Sequence, residues 1–203
     1  ADITDKLPCR YGYSLVTLSM KRRTRTRRIP ASEAATARFR ERGGILRTTE
    51  ALRLGVHPRT LYALRDRGVL ERLSRGVYRL ASLAPLGSPD LVTVAVRAPE
   101  GVLCLVSALA VHDLTTQVPH EVHVALRRGA EPPRLEHPPV RVFWFTGEAF
   151  TSGVERHVRD GVGVRVYGAA KTVADCFKYR NKLGLDVALE ALGLYLRKSR
   201  RHP

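Results

Sequence analysis

Apolar positions change rhythm along the chain. From residue 32 to about 68 they recur three and four apart, as on helix faces; after that, short apolar runs are interleaved with helical ones. Ser32 is placed to cap a first helix. Glu33 sits in its first turn, Ala34, Ala37 and Phe39 form a weak stripe, and Gly43-Gly44 ends it. A second helix begins at Thr48, whose hydroxyl can accept from free first-turn amides. Glu50 suits the positive end of its dipole, and Ala51, Leu52 and Leu54 are its expected buried side. Gly55 then permits the left-handed residue that often ends a helix. The third helix carries Pro58 at its first position, where no amide hydrogen is needed, and ends at Gly68.

Helix, short Gly-containing turn and helix make a helix-turn-helix. Leu61 and Leu64 share one face and must pack inward. At about 100° per residue, Arg59, Tyr62, Ala63 and Asp66 fall opposite, with Thr60, Arg65 and Arg67 on the flanks. The stretch LERLSRGVYRL, Leu70 to Leu80, reads as a hairpin with Arg75-Gly76 at its tip, which completes a winged helix.

Pro85, Gly87 and Pro89 mark a linker, and beyond it the pattern is mixed. Ser88 and Pro89 open a helix through Leu91, Val92, Ala95 and Val96. GVLCLV reads as a buried strand, Ser107 caps a short helix through Leu114, and EVHVAL and VRVFWF read as further strands. Gly153 to Tyr167 reads as a hairpin turning at Asp160-Gly161. Two helices split near Gly184 close the pattern, with Val173, Ala174, Phe177, Leu183, Val187, Leu189 and Leu192 expected on their buried sides. The fold class is therefore α/β (α+β): an N-terminal winged helix-turn-helix and a C-terminal α/β domain with a mixed sheet. The expected boundaries are a basic, disordered extension over 1–31, the winged helix over 32–84 and the α/β domain over 85–203. Met20, the one methionine, precedes KRRTRTRR and reads as the natural start, with residues 1–19 as an upstream extension.

Charge changes the picture more than composition does. Of the net +16, residues 20–80 hold 17 basic and 5 acidic side chains, a net of +12, whereas residues 81–203 hold 16 and 12, a net of +4. A localised basic surface attracts polyanions. Coupled to the helix-turn-helix, it points to duplex DNA, read by Thr48, Thr49, Arg59, Thr60, Tyr62, Arg65 and Arg67, with Arg72 and Arg75 on the wing. Asp66 is the exception on the reading face: it either pairs with a neighbouring arginine or accepts from a cytosine amine. Three scattered cysteines, Cys9, Cys104 and Cys176, fit free thiols in a reducing cytoplasm. No apolar run approaches the 18 or so residues that cross a bilayer, so no membrane partner is expected.

The second domain offers little chemistry. His120 and His123 lie three apart on a predicted strand, so they point to opposite faces and ligate metal poorly. Lys171 and Asp175 have the spacing of a helical surface ion pair. The carboxylates Asp113, Asp160, Asp175 and Glu190 make no metal-nuclease signature, and no Gly-rich phosphate loop is present. Cys104 and Cys176 lie in apolar runs and read as inert core residues. No catalytic residue, metal or cofactor is expected.

The order of features resembles the AbiEi-type antitoxins of type IV toxin–antitoxin and abortive-infection systems. The resemblance lies in GVHPRTLYALRDRGVLERLSRGVYRL, PEGVLCLVSALAVHDLT, VPHEVHVAL and most of all VRVYGAAKTVADCFKYRNKLGLDVALEAL. In that last stretch the characteristic residues are Lys171, Thr172, Asp175, Phe177, Lys178, Tyr179 and Arg180. The resemblance implies a repressor whose winged helix binds the operator DNA of its own operon, and the expected protein is a non-enzymatic one. It also implies a C-terminal domain that opposes a nucleotidyltransferase-like toxin. Two other readings stay open: a ligand-sensing transcription regulator without a toxin, and a DNA-binding nuclease.

Overall fold

The computed structural model describes residues 30–201. The basic run Lys21–Arg28 and the expected start at Met20 lie outside the described residues. The N-terminal unit comprises α1 (Ala31–Glu41), β1 (Ile45–Arg47), α2 (Thr48–Arg53), α3 (Pro58–Asp66), β2 (Leu70–Ser74) and β3 (Val77–Leu80). Its three strands form an antiparallel sheet in the order β1-β3-β2. Phe39, Leu46, Ala51, Val56, Leu61, Leu64, Leu70, Tyr78 and Leu80 fill one core between the helices and that sheet. Phe39 and Leu61 are completely buried, each contributing roughly 1.5–3 kcal/mol of hydrophobic stabilisation.

Local details depart from the sequence reading. Pro30 rather than Ser32 precedes α1, and the Ser32 carbonyl accepts from Thr36 Oγ1 at 2.9 Å. The buried stripe of α1 is Ala35 and Phe39; Ala37 is exposed. The Thr48 hydroxyl donates to the Gly76 carbonyl instead of accepting from its own helix, and the Glu50 carboxylate accepts from Arg47 N–H at 3.3 Å. Leu52 is 41% exposed, because at about 100° per residue it points away from Leu54, which packs inward with Ala51.

The second unit is a five-stranded mixed sheet with helices on both faces. After α4 (Pro89–Arg97) come β4 (Val102–Leu103), α5 (Leu105–Val111), β5 (Val122–Arg127), β6 (Val140–Phe145) and α6 (Glu148–Thr151). Then follow β7 (Val154–Arg159), β8 (Val162–Tyr167), α7 (Ala169–Lys178), α8 (Arg180–Leu183) and α9 (Leu185–Arg201). The strand order is β6-β5-β4-β8-β7; β5/β6 and β4/β8 are parallel, β4/β5 and β7/β8 antiparallel. Alternation along the strands sorts the two layers. Val122, Val124, Leu126, Val164 and Val166 pack with Val94 of α4, while Ala125, Phe143, Phe145 and Tyr167 pack with α5, α7 and α9. The β7–β8 hairpin turns at Asp160-Gly161 as expected, with φ of 50° and 78°, the positive pair of a type I′ turn.

GVLCLV is a strand only over Val102–Leu103. The chain turns at Leu105, with φ of 48°, and enters α5 three residues earlier than the Ser107 cap implies. Ser107 instead lies inside α5, its Oγ accepting from His123 N–H at 2.8 Å. On the closing helices Ala174 is exposed and Leu189 is 54% exposed; Ala188 and Ala191 take the buried positions of α9.

The Pro/Gly segment between the two units is held on both sides. Ile45, Val77 and Val92 share a buried cluster with Leu73, Leu86, Val96 and Val162, so α4 covers an outer face of the winged-helix sheet. The Asp160 carboxylate accepts from Gly87 N–H and Ser88 N–H, each at 3.1 Å. Among the described residues no helix is long and apolar enough to cross a membrane.

Candidate nucleic-acid interface

The geometry of α3 follows from its leucines. Leu61 and Leu64 are buried, and the opposite face carries Arg59, Tyr62, Ala63 and Asp66 at the surface. Tyr62 is 44% exposed, a large aromatic ring left at the surface beside Arg59 and Asp66. His57 supplies the cap, its Nδ1 accepting from Arg59 N–H at 3.2 Å. This histidine was missed in the sequence because Ser, Thr, Asp and Asn are the usual caps. Thr60 is half-buried. Arg65 lies over the Tyr62 ring, 5.2 Å from its centroid, and donates from Nε and Nη2 to one Asp66 oxygen at 2.8 and 2.7 Å. That hydrogen-bonded carboxylate pushes the guanidinium of Arg65 further up. Asp66 is thus paired with a neighbouring arginine. Arg67 is exposed just past the end of α3, before Gly68 turns the chain with φ of 71°.

The wing gathers a second group. Thr48 N–H donates to the Gly76 carbonyl at 2.9 Å and its hydroxyl does the same at 3.4 Å, so the first turn of α2 is fastened to the tip of the β2–β3 hairpin. Thr49 and Arg75 are exposed. Arg72 is exposed on β2, its Nε donating to the Ser74 carbonyl at 3.3 Å. Arg79, by contrast, is buried, bonded to Glu71 and to the Ala84 carbonyl, and serves the fold.

In the second unit the residues singled out by resemblance are mostly packed inside. Lys171 donates to Asp175 at 2.8 Å and lies 4.3 Å from the centroid of the Tyr167 ring. The sequence reading of a surface ion pair is corrected here: both side chains are largely buried, since α7 lies against the sheet. Thr172 is fully buried and donates to the Tyr167 carbonyl at 3.0 Å. Tyr179 packs edge-on against Phe143 at 5.3 Å, and Phe177 borders the same core. Arg180 is exposed and donates to the Phe177 carbonyl at 2.9 Å; Lys178 is exposed. Cys104 and Cys176 are fully buried. Burial pushes the Cys176 thiol up to about 12 and the Cys104 thiol well above its ordinary range, so neither is poised as a thiolate.

His120 is exposed and precedes β5, while His123 is buried on it, 3.1 Å from Glu121; the two do not converge. The fold instead brings His112, Glu155 and His157 together, one ligand-type atom of each lying within 4.8 Å of the others. Two imidazoles and a carboxylate are donors that suit a divalent transition metal. All three have protein partners: His112 Nε2 is 2.8 Å from the Tyr167 carbonyl, and His157 Nε2 is 3.1 Å from Glu155. The spacing of 112 and 157 hides this group from any sequence motif.

A helix-turn-helix with a hairpin wing, its third helix burying two leucines and exposing arginine and tyrosine, defines a winged-helix unit of the kind built to face a duplex. Residues 33–81 match the family described as transcriptional regulator, AbiEi antitoxin. The match takes in most of α1 and all of the unit through β3, and ends before α4. A search of curated proteins finds no match to the chain.

Proposed function

We propose that the protein is a DNA-binding antitoxin that represses its own operon. Helix α3 enters the major groove, with Arg59 and Tyr62 toward base edges and Arg75 over the backbone. The second unit opposes a nucleotidyltransferase-like toxin. The observation that carries this reading is the coincidence of the family match with a winged-helix segment that is itself basic, 11 basic against 5 acidic side chains over 33–81. The packed interior of α7 supports a scaffolding role for the second unit rather than catalysis. The test has two arms: gel shifts of the full chain on the DNA upstream of its own gene, and growth rescue in cells expressing the adjacent gene. Repression without rescue would leave a regulator and remove the antitoxin.

A ligand-sensing regulator is the second reading, favoured by a cavity of about 210 Å³ lined by Asp90, Ser107, His120, Glu121 and Pro138. Ligand sites typically occupy about 300–1,000 Å³, so this space suits only a small molecule and the antitoxin reading is preferred.

A further inference from the structure

The tip of the wing does not stand alone. Arg75 at that tip, Arg97 at the end of α4 and Arg134 in the β5–β6 connection line one cavity of about 330 Å³ together with Leu135 and one carboxylate, Glu136. Three arginines from distant parts of the chain therefore converge across the junction between the two units. Packing fixes their arrangement. Val92 and Val96 of α4 are clustered with Ile45 and Val77 of the wing sheet, and Arg47 Nη1 donates to the Arg97 carbonyl at 3.4 Å. Arg97 Nη2 in turn donates to the Arg134 carbonyl at 2.9 Å. A Cβ at Gly76 would lie 3.7 Å from Arg97 Nη1, so the wing tip and Arg97 are in contact range.

These guanidiniums are short of acceptors. Among the described residues no carboxylate oxygen lies within 4.0 Å of Arg75 or Arg97, and Arg97 Nε is buried with no hydrogen-bond partner. Arg134 alone is paired, with Glu131 at 2.8 Å on an open surface. A guanidinium presents a planar fork of donors that matches phosphate oxygens. Three arginines held together in a polar recess, two of them without a carboxylate partner, are completed by an anion that supplies several acceptors at once.

We propose that this recess holds a phosphate of the duplex backbone, so that the DNA contact runs past the wing onto the second unit through Arg97 and Arg134. The inference rests on the DNA-binding reading and extends it: the second unit contributes to affinity although it carries little of the excess charge. Backbone contacts position the protein without reading sequence, and each neutralised phosphate adds nearly one unit to the slope of log K against log salt.

The test is fluorescence anisotropy of the full chain on its own upstream duplex and on a scrambled duplex, at several salt concentrations. Arg134→Ala and the double variant R97Q/R134A are compared with wild type, and Arg159→Ala on β7 serves as the control. Arg134 is 87% exposed in its side chain, so its removal leaves the fold intact. The double variant is expected to lower the salt slope by about 1 on both duplexes while the ratio between them stays constant. An unchanged slope in the presence of wild-type binding overturns the inference and leaves the winged-helix reading standing. Absence of wild-type binding to any duplex overturns both. A parallel thermal-shift arm uses inorganic phosphate alone: stabilisation that the double variant loses, with no change in the DNA salt slope, would make the recess a free-anion site and sink the backbone contact.

Discussion

The two units use their charged side chains in opposite ways. In the second unit several charged side chains are paired within the fold: Lys171 with Asp175, Arg141 with Glu121, Arg165 with Glu100, and Glu190 with Thr115 and Thr116. In the winged helix Arg59, Arg67, Arg72 and Arg75 face outward with no carboxylate within 4.0 Å among the described residues, and only Arg65 and Arg79 are paired. Residues 20–80 and 81–203 hold similar numbers of basic side chains, 17 and 16, but only 5 acidic ones against 12, so net charge already separates the two regions in the sequence. What separates them is how many acidic side chains each region offers as partners. Charge left without a partner on a rigid surface is charge available to a polyanion.

The largest expected effect breaks the scaffold of the outward face. Leu61→Ala empties a fully buried site between α3 and the wing sheet and should cost about 2–5 kcal/mol in urea or thermal unfolding. DNA binding should fall with it. A smaller loss in stability with binding intact would mean that α3 is not held through this leucine.

The inward pairing of the second unit can be broken in the same way. Asp175→Ala leaves the Lys171 ammonium without its carboxylate in a largely buried position, and should cost on the order of 1.5–3 kcal/mol. The same change should leave the preference between specific and scrambled duplex untouched, which separates stability from recognition. An altered preference would show that α7 shapes the interface directly.

The smallest effect is a pH dependence. Burial is the main cause that pulls the His123 imidazole below its ordinary value, with Glu121 partly offsetting it. The folded state therefore favours the neutral ring, and the unfolded chain takes up a proton more readily. Stability should be fully present above the unfolded value near 6.5 and decline as pH falls below it. His123→Gln should flatten that decline in denaturant midpoints measured from pH 7.5 to 5. An equally steep decline in the variant would place the titrating group elsewhere.

Where local rules act alone, structure was legible in the sequence. Asp160-Gly161 demanded positive φ and made the hairpin; VRVFWF became β6 residue for residue; Pro58 and the two leucines of α3 placed its faces. Where the outcome depends on neighbours it was not. A continuous apolar run such as GVLCLV suits a strand or a buried helix equally, and the kink at Leu105 decided for two residues of strand followed by α5. Leu52 was expected in the core, yet residues two apart on a helix point about 200° apart, so Leu52 faces water while Ala51 and Leu54 pack inward. Ile45–Arg47 is a three-residue strand that exists because β3 pairs with it. The meeting of Arg75 with Arg97 and Arg134, and of His112 with His157, is a product of tertiary packing that no local spacing records.

Sequence recognition by this protein stands or falls on the outward face of α3. Its most direct test is the affinity ratio between the upstream duplex and a scrambled one, for wild type and Arg59→Ala, at matched salt. Wild type is expected to prefer its own upstream DNA, and Arg59→Ala to lose about 1–3 kcal/mol of that preference while retaining its salt slope to within about one unit. A folded Arg59→Ala protein with the full wild-type ratio would contradict the assignment of α3 as the reading helix.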